Sequence, residues 1–438
     1  MINRDYYLSK MISKINNGLV KIITGIRRVG KSYLLFDIFY SYLLSKGIKK
    51  ENIIKIALDK KEFESLRNPN ALYEYIKERI NDTEQFYIFI DEIQLSYKVR
   101  NASIDESLIA KEDRDLLYTY TTFYDVLNDF LACKNLDLYV TGSNSRLLSK
   151  DIVTNFRGRS SEICVFPLCF SEFLEYTKLD KYDAWQEYTT YGGMPLAVLE
   201  QDEKEKSSYL KSLYKNIYSK DIEERYNISD NLALEMVMNL IYSSIGSLSN
   251  PHKIKNTLKS TYGLNLSDHT IKNYLDYLED AFLIKKADRY DIKGKEYLSS
   301  PSKYYATDIG LRNAKLNFKQ KELTHIMENI IFNELMLRGY DVDVGVVEVS
   351  NTIEKKQTKT RLEIDFIVNH GNERTYIQSA FNINDEEKKE QELRPLRNTG
   401  DFFRRIVITG NNEKKWQDED GIIYIGIIPF LLDKGILE

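Results

Sequence analysis

The first group of residues that can do chemistry lies between Lys21 and Leu35, where the chain carries the spacing Gly25-x-x-x-x-Gly30-Lys31-Ser32. Glycines at this spacing let backbone N–H groups point at phosphate oxygens, and the helix that follows adds partial positive charge. The lysine of such a loop reaches the terminal phosphates, and the serine hydroxyl holds Mg²⁺. The spacing therefore predicts a loop that binds a nucleoside triphosphate through Gly25, Ile26, Arg27, Arg28, Val29, Gly30, Lys31, Ser32 and Tyr33.

An acidic pair follows the apolar run Phe86–Ile90, which is short, bounded by polar residues and typical of a buried central strand. Ligands gather at the carboxyl ends of strands in open α/β sheets. Asp91 is therefore expected to hold Mg²⁺ beside Ser32, and Glu92 to orient the water that attacks the terminal phosphate. The alternative interpretation is an acidic turn that follows a strand.

Two further polar segments are candidates for the same site. Asn144 follows a predicted strand, Leu136–Val140, and is expected to sense the terminal phosphate, although capping of the next helix explains it nearly as well. Arg157 and Arg159 lie in one short turn, where either could supply positive charge to a neighbouring subunit's transition state. Ordinary surface arginines are the alternative.

The elements that must position these residues follow an alternating pattern. Val20–Thr24 reads as a buried strand, and Ser32–Leu44 as an apolar helix without glycine or proline. Further predicted elements are helices at Asp5–Asn16, Asn68–Ile80 and Phe123–Ala132, and strands at Asn52–Ala57 and Glu162–Phe166. The polar stretch 95–121 shows no clear strand and reads as an insertion.

Composition limits the class of protein. With 438 residues, 42% of them hydrophobic, the chain can form more than one core. The net charge of −4 gives no global attraction to nucleic acid, so any such binding needs a local patch. Three cysteines and four histidines support neither a disulfide framework nor a structural zinc site. No apolar run approaches 18 residues, which predicts a cytoplasmic protein without membrane contact.

Six strings together resemble the prokaryotic AAA-type ATPases that carry a C-terminal domain of unknown function: GIRRVGKS, IFIDEIQ, VTGSNSRLLS, FRGR, FPLCFSEFLEY and YGGMP. The resemblance covers almost the whole chain and implies an AAA+ or STAND-like core, Mg-ATP as ligand and a winged-helix unit. In the family, the turn before Pro195 lies in the lid and faces the nucleotide, so Pro195 is expected to touch adenine. A plain helix terminator is an equally good interpretation. The long segment after Gln94 departs from the family's short link.

The segment after residue 232 predicts three helices and a two-stranded wing, the pattern of a winged helix: Ala233–Ser244, Lys253–Thr261, Asp268–Ala281, Phe282–Tyr290 and Lys303–Ala306. The third helix carries Lys272 against four acids, so phosphates would repel it. The second helix and the wing are more basic. Packing or lid movement is the favoured role, and DNA contact through the wing is the alternative.

The last 110 or so residues resemble the PD-(D/E)xK nuclease fold. A predicted helix, Thr324–Leu337, carries Glu328 and Glu334, and the predicted strand Arg361–Val368 carries Glu363 and Asp365 on one face. Asp365 occupies the first motif position, but Gln378 and Ala380 occupy the other two. A neutral amide and a methyl group supply neither a carboxylate for a metal nor a lysine, so the prediction is a degenerate domain without cleavage.

The chain is therefore predicted to be an α/β protein: a P-loop NTPase with a parallel sheet, a helical winged-helix lid and an α/β nuclease-like tail. The expected domains are 1–198, 199–310 and 311–438. The predicted activity is Mg²⁺-dependent hydrolysis of ATP, coupled to remodelling of nucleic acid or protein. A STAND-like switch that oligomerises on binding ATP is the alternative, and a metal-dependent nuclease a weaker one. Expected partners are ATP, DNA through the winged helix or the tail, and further copies of the chain or another protein.

Overall fold

A computed structural model of the chain describes residues 2–81, 83–101, 119–143, 156, 158–228, 230–353, 356–383 and 385–437. The described residues divide into two compact units, 1–165 and 166–438. The predicted boundary at 198/199 lies inside the second unit, and the three-domain division stays a prediction. Among the described residues, no helix combines the length and apolarity that crossing a bilayer requires.

The first unit is built on a parallel five-stranded sheet of β1 (Val20–Thr24), β2 (Ile53–Ala57), β3 (Phe86–Asp91), β6 (Leu136–Thr141) and β7 (Ser160–Cys164). The strands lie in the order β2-β3-β6-β1-β7. All five residues of β1 and all six of β3 are buried, which explains why both strands are mainly apolar. Because all strands are parallel, the residues that follow β1, β3 and β6 meet at one edge of the sheet.

A buried ion pair joins the two central strands near the opposite edge. Lys21 on β1 pairs with Asp137 on β6, and Tyr139 donates a hydrogen bond of 2.9 Å to the same carboxylate. Burial lowers the pKa of Lys21 despite the stabilising charge of Asp137. Removing either partner would leave the other buried charge uncompensated.

The helices of the first unit are α1 (Asp5–Ile12), α2 (Lys31–Tyr33), α3 (Tyr40–Ser45), α4 (Pro69–Lys77) and α5 (Phe123–Phe130). Leu34–Phe39, between α2 and α3, is a π-helix, a variant that apolar periodicity does not distinguish from an α-helix. The first helix ends at Ile12, so its predicted end at Asn16 was wrong. Asn16 instead adopts a positive φ of 54°, in a turn where its backbone N–H donates to Asp137.

Two short strands lie near the two ends of the predicted insertion, 95–121. The expectation that this segment contains no strand was therefore wrong for these residues. β4 (Val99–Arg100) and β5 (Tyr120–Thr121) form an antiparallel pair. The pairing closes a stem at the base of the insertion, and residues 102–118 lie outside the described residues.

The second unit begins with α6 (Phe170–Thr177), α7 (Lys181–Tyr191), α8 (Pro195–Leu199) and α9 (Glu203–Ile217), followed by a π-helix at Tyr218–Glu223 and α10 (Glu224–Tyr226). Cys169 is the N-cap of α6, and the Glu172 side chain accepts from the Cys169 backbone N–H at 3.1 Å. Pro195 is the first residue of α8, where its missing N–H costs nothing.

A mixed eight-stranded sheet forms the rest of the second unit, in the order β14-β15-β13-β12-β11-β10-β8-β9. Its strands are β8 (Ile284–Asp291), β9 (Glu296–Ala306), β10 (Asp341–Ile353), β11 (Lys356–His370), β12 (Glu373–Ala380), β13 (Arg404–Thr409), β14 (Trp416–Gln417) and β15 (Ile423–Gly426). The remaining helices are α11 (Asn231–Ser243), α12 (Pro251–Tyr262), α13 (Asp268–Asp280), α14 (Ile309–Lys315), α15 (Leu323–Leu337), α16 (Glu386–Arg397) and α17 (Ile427–Leu432).

The three helices and two strands expected of a winged helix are α11, α12, α13, β8 and β9. The Ser267 side chain caps α13, and β8 and β9 pair antiparallel. However, β8 also pairs with β10 in parallel, so the hairpin belongs to the large sheet rather than standing alone. The label winged helix therefore stays a prediction.

Candidate nucleotide site

Backbone geometry accounts for both glycines of the predicted phosphate loop. Gly25 follows β1 with φ of 139°, and a Cβ there would lie 2.3 Å from the carbonyl oxygen of Val165. Gly30 has φ of 97° and precedes the first residue of α2. Both positions require glycine, because a side chain would be strained at either and would collide with the neighbouring strand end at the first.

The Lys31 side chain folds back over the loop. Its ammonium donates to the carbonyl oxygens of Gly25 at 2.8 Å and Ile26 at 3.2 Å, and the residue is only 4% exposed. These bonds hold the ammonium inside the curve of the loop, where a phosphate would have to lie to meet the backbone N–H groups. Arg27 is half-buried, whereas Arg28 is exposed and has a positive φ of 67°.

Asp91 and Glu92 are organised by a threonine from the next strand. The Thr141 hydroxyl, at the end of β6, donates to the Asp91 carboxylate and accepts from the Glu92 backbone N–H at 3.0 Å. Asp91 and Thr141 are both buried. A single hydroxyl thus fixes the carboxylate of one acidic residue and the backbone of the other.

Glu92 lies in the left-handed region, with φ of 53°, which is uncommon for a residue with a side chain. Its carboxylate accepts a hydrogen bond from the Gln94 amide. Burial raises the pKa of Glu92, and the charge of Asp91 raises it further, whereas Lys31 and Arg27 act to lower it. The two groups that oppose the rise, Lys31 and Arg27, both belong to the phosphate loop. A raised pKa suits a group that accepts hydrogen bonds from water.

The structure places the loop with Lys31, and Asp91 with Glu92, at the carboxyl edge of the central strands. Ser32 and Tyr33 are half-buried in the first turn of the helix. Asn144 and Arg157 lie outside the described residues. Arg159 precedes β7, and its carbonyl accepts from the first residue of β1 at 3.1 Å, so it lies at the opposite edge of the sheet. Its side chain donates to Asn128 at 3.2 Å.

Sequence reasoning missed the role of Thr141. The available signal was its position as the first polar residue after the apolar run of β6, directly before Gly142. That position marks the end of a strand beside β3, where a hydroxyl can meet the Asp91 side chain. The Gln94 contact with Glu92 was likewise not anticipated.

In the second unit, the Gly192–Gly193 turn packs against the first turn of α14. The Asp308 carboxylate caps α14 by accepting from Leu311 N–H at 2.9 Å, and it also accepts from Gly193 N–H at 2.8 Å. A Cβ at Gly192 would lie 2.5 Å from the backbone nitrogen of Gly310. Burial raises the pKa of Asp308 to about 6, although the backbone N–H bonds act to lower it.

The residues expected at a nuclease-like site also come together in the second unit. Glu328, Glu363 and Asp365 all meet the ammonium of Lys303, a residue of β9 that sequence reasoning placed in a wing. Burial acts to lower the pKa of Lys303, but the surrounding acidic groups, Tyr305 and Asp365 foremost, raise it well above its usual value. Glu334 lies apart from this group and pairs with Arg338 at 2.8 Å.

Several basic residues proposed for DNA contact pair with acids. Lys255 of α12 pairs with Asp268 at 3.1 Å, Lys286 of β8 pairs with Asp288 at 2.6 Å, and Lys285 lies 3.9 Å from Glu279. Such pairs reduce the local positive charge available to phosphates.

The strand order, the loop after β1 and the acids after β3 define an AAA-type P-loop protein. Residues 17–174 match a family described as "AAA domain", and residues 182–322 match a domain of unknown function (DUF8612).

Two full-length relatives are similar along the whole chain. An uncharacterized protein of Haemophilus influenzae is 34% identical, with 99% of both chains covered, and one of Methanocaldococcus jannaschii is 30% identical, with 98% of this chain and 90% of that protein covered. The chain belongs to the family that these two proteins represent.

Among the solved structures, the chain matches the Aeropyrum pernix ORC1 protein in complex with DNA, with 12% identity, a TM-score of 0.28 and coverage of 72% of this chain and 93% of that one. Cdc6p from Pyrobaculum aerophilum has 14% identity, a TM-score of 0.28 and coverage of 75% and 95%. These TM-scores are low, so the fold assignment rests on the strand order and the loop described above.

Proposed function

We propose that the first unit binds Mg-ATP and hydrolyses it to ADP and phosphate. The observation that carries the proposal is the convergence, at one edge of a parallel sheet, of the loop with Lys31, the Asp91–Glu92 pair and the Thr141 hydroxyl that joins them. The buried Lys31, the buried Asp91 and the positive φ of Glu92 at this edge support a nucleotide site over a structural acidic turn.

The loop residues 25–33 would surround the phosphates, with their backbone N–H groups as donors. Lys31 would exchange its bonds to Gly25 and Ile26 for phosphate oxygens, keeping its charge satisfied in a buried place. The Ser32 hydroxyl and the Asp91 carboxylate would hold Mg²⁺, which supplies charge neutralisation on the phosphate oxygens when it is bound.

Glu92 would orient the attacking water. Its backbone is fixed by Thr141 and its carboxylate by Gln94, so the acceptor oxygens are held in place before substrate arrives. Asn144 stays a proposed sensor of the terminal phosphate. Arg157 and Arg159 stay proposed donors of charge to a second copy of the chain, and Pro195 a proposed adenine contact.

The test is steady-state hydrolysis of ATP by wild type and by Glu92→Gln, with equilibrium binding of ATP measured on the same samples. The variant should bind ATP within about threefold of wild type and lose roughly 100-fold or more in turnover, since it keeps the shape but loses the carboxylate. Glu74→Gln, an exposed glutamate of α4, is the matched control and should turn over ATP normally. Unchanged turnover in Glu92→Gln would remove the proposed role.

The work to which hydrolysis is coupled is best described as remodelling of a protein partner. The pairing of Lys255, Lys285 and Lys286 with acids and the acidic character of α13 support this over a DNA-directed role. Stimulation of turnover by duplex DNA in the same assay would favour the DNA-directed alternative. ATP-dependent assembly with slow turnover would favour a switch.

A further inference from the structure

Three carboxylates in the second unit, a set of ligands that suits a divalent ion, surround the ammonium of a lysine instead. The Lys303 cluster consists of Lys303 on β9, Glu328 on α15, and Glu363 and Asp365 on β11. The Lys303 ammonium lies 2.8 Å from Glu328, 2.9 Å from Glu363 and 3.0 Å from Asp365. An ammonium has three N–H donors, and three carboxylates from two elements surround it.

Two of the three carboxylates of the Lys303 cluster, those of Glu328 and Asp365, are held by further donors. Glu328 also accepts from the Tyr305 hydroxyl at 2.7 Å, through the oxygen that faces Lys303. Asp365 accepts from the backbone N–H of Ser379 at 2.9 Å through its second oxygen. The oxygens are therefore fixed around the ammonium rather than arranged freely.

Lys303 itself is deeply buried, with its side chain only 3% exposed. A buried, fixed ammonium cannot leave the site to admit another cation without leaving three carboxylates unpaired.

At the two other motif positions, the neighbouring strand β12 supplies no charged side chain to the Lys303 cluster. Gln378 on β12 donates to Glu392 at 2.7 Å and accepts from the Asp365 backbone N–H at 3.4 Å, so its amide serves as a neutral link. Ala380, two residues further, presents only a methyl group. The positive charge of the cluster thus comes from β9, 62 residues before Asp365 in the sequence.

We propose that the Lys303 ammonium is the permanent cation of this carboxylate site, lying where a divalent ion would otherwise be held, so that the second unit binds no metal there and cleaves no phosphodiester. The carboxylates are then structural partners of Lys303. This inference does not depend on the ATPase activity of the first unit.

The test uses the full chain without nucleotide. Wild type, Lys303→Met and the double variant Lys303→Met/Asp365→Asn are titrated with MnCl₂, and bound Mn²⁺ is followed by the loss of its free electron paramagnetic resonance signal. Methionine keeps the length of the stem and removes the charge. Lys303→Met should gain one Mn²⁺ with an affinity at least tenfold above any in wild type, and the double variant should lose it.

A second arm of the experiment remains informative if Lys303→Met does not fold. This arm needs only wild type and one conservative substitution. Glu363→Gln removes the most exposed carboxylate of the cluster, whose side chain is 33% exposed. Wild type and Glu363→Gln should show the same Mn²⁺ titration. Wild-type binding of Mn²⁺ that weakens in Glu363→Gln would overturn the proposal, as would a folded Lys303→Met that gains no ion.

Discussion

At the scale of single residues, the candidate site depends on one hydroxyl more than its sequence suggests. Lys31, Asp91 and Glu92 could each be predicted from the order of residue types after β1 and β3, since those positions follow from local spacing. Thr141 could not, because its partners lie 50 and 49 residues away and the contact exists only when β6 lies beside β3. The sequence thus predicts the charged groups, whereas the fold determines how they are oriented.

Thr141→Val should therefore separate binding from turnover. Valine keeps the shape but leaves the Glu92 N–H without its acceptor and Asp91 without its donor, which costs about 1–3 kcal/mol. We expect turnover of ATP to fall about tenfold or more with a smaller change in ATP affinity. Thr83→Val, at an exposed loop position, is the control in the same kinetic and urea-unfolding measurements. Equal losses in both variants would contradict the role of Thr141.

Asp308 predicts a pH dependence of stability. Its pKa is raised from 3.8 to about 6 in the folded chain, so the folded state binds the proton more tightly than the unfolded state. The stabilising contribution is complete below 3.8 and is lost as the pH rises towards about 6. A shift of this size corresponds to about 3 kcal/mol.

The measurement is urea unfolding of wild type and Asp308→Asn across this pH range. The difference in unfolding free energy, wild type minus variant, should decrease as the pH rises from 3.8 to about 6 and should stay constant at higher pH. A difference that does not change with pH would show that the Asp308 carboxyl does not titrate as described.

At the scale of elements, the sequence predicted β1, β2, β3 and β6 closely, because most of their residues are apolar and buried. It placed β7 two residues too late, because that strand, Ser160–Cys164, is largely polar and only partly buried. It missed features that depend on partners distant in sequence. The stem formed by β4 and β5 pairs residues about 20 apart, and β8 pairs with β10 as well as with β9. The sequence accordingly predicts Lys303 to be a lysine of the wing, whereas in the structure it is a buried residue of β9.

Two glycines with a positive φ test the contact between the Gly192–Gly193 turn and α14: ψ is −159° at Gly192 and 9° at Gly263. Gly192 and Gly263 both have φ of 69°, but an added Cβ would meet Gly310 N at 2.5 Å at the first and nothing within 4 Å at the second. Gly263→Ala should lower the unfolding free energy by about 1 kcal/mol. Gly192→Ala should cost roughly 1–3 kcal/mol more, because crowding against α14 adds to a backbone conformation that only glycine adopts readily.

Tryptophan fluorescence suits this measurement, because both tryptophans, Trp185 and Trp416, lie in the second unit. Urea unfolding of the two variants is compared with wild type. Equal destabilisation by the two substitutions would contradict the close approach of the turn to α14.

At the scale of the whole molecule, charge predicts weak binding to DNA. The net charge is −4, and the lysines of α12 and β8 named above pair with acids. We expect duplex DNA to bind only in the non-specific range, with Kd of about 10⁻⁴–10⁻⁶ M at physiological salt. Fluorescence anisotropy across a salt series checks this. Nanomolar binding with a steep salt dependence would contradict it and would point to a DNA-directed machine.

The most direct test of the central claim is the equilibrium binding of ATP, with and without Mg²⁺, to wild type, Lys31→Met and Lys46→Met. Lys46 is exposed at the far end of the helix that follows the phosphate loop, which makes it a matched control. Wild type and Lys46→Met should bind ATP in a Mg²⁺-dependent manner. Lys31→Met should lose at least about tenfold in affinity, as expected for lost charge-assisted hydrogen bonds. Equal affinity in all three proteins would contradict the assignment of this loop as the nucleotide site.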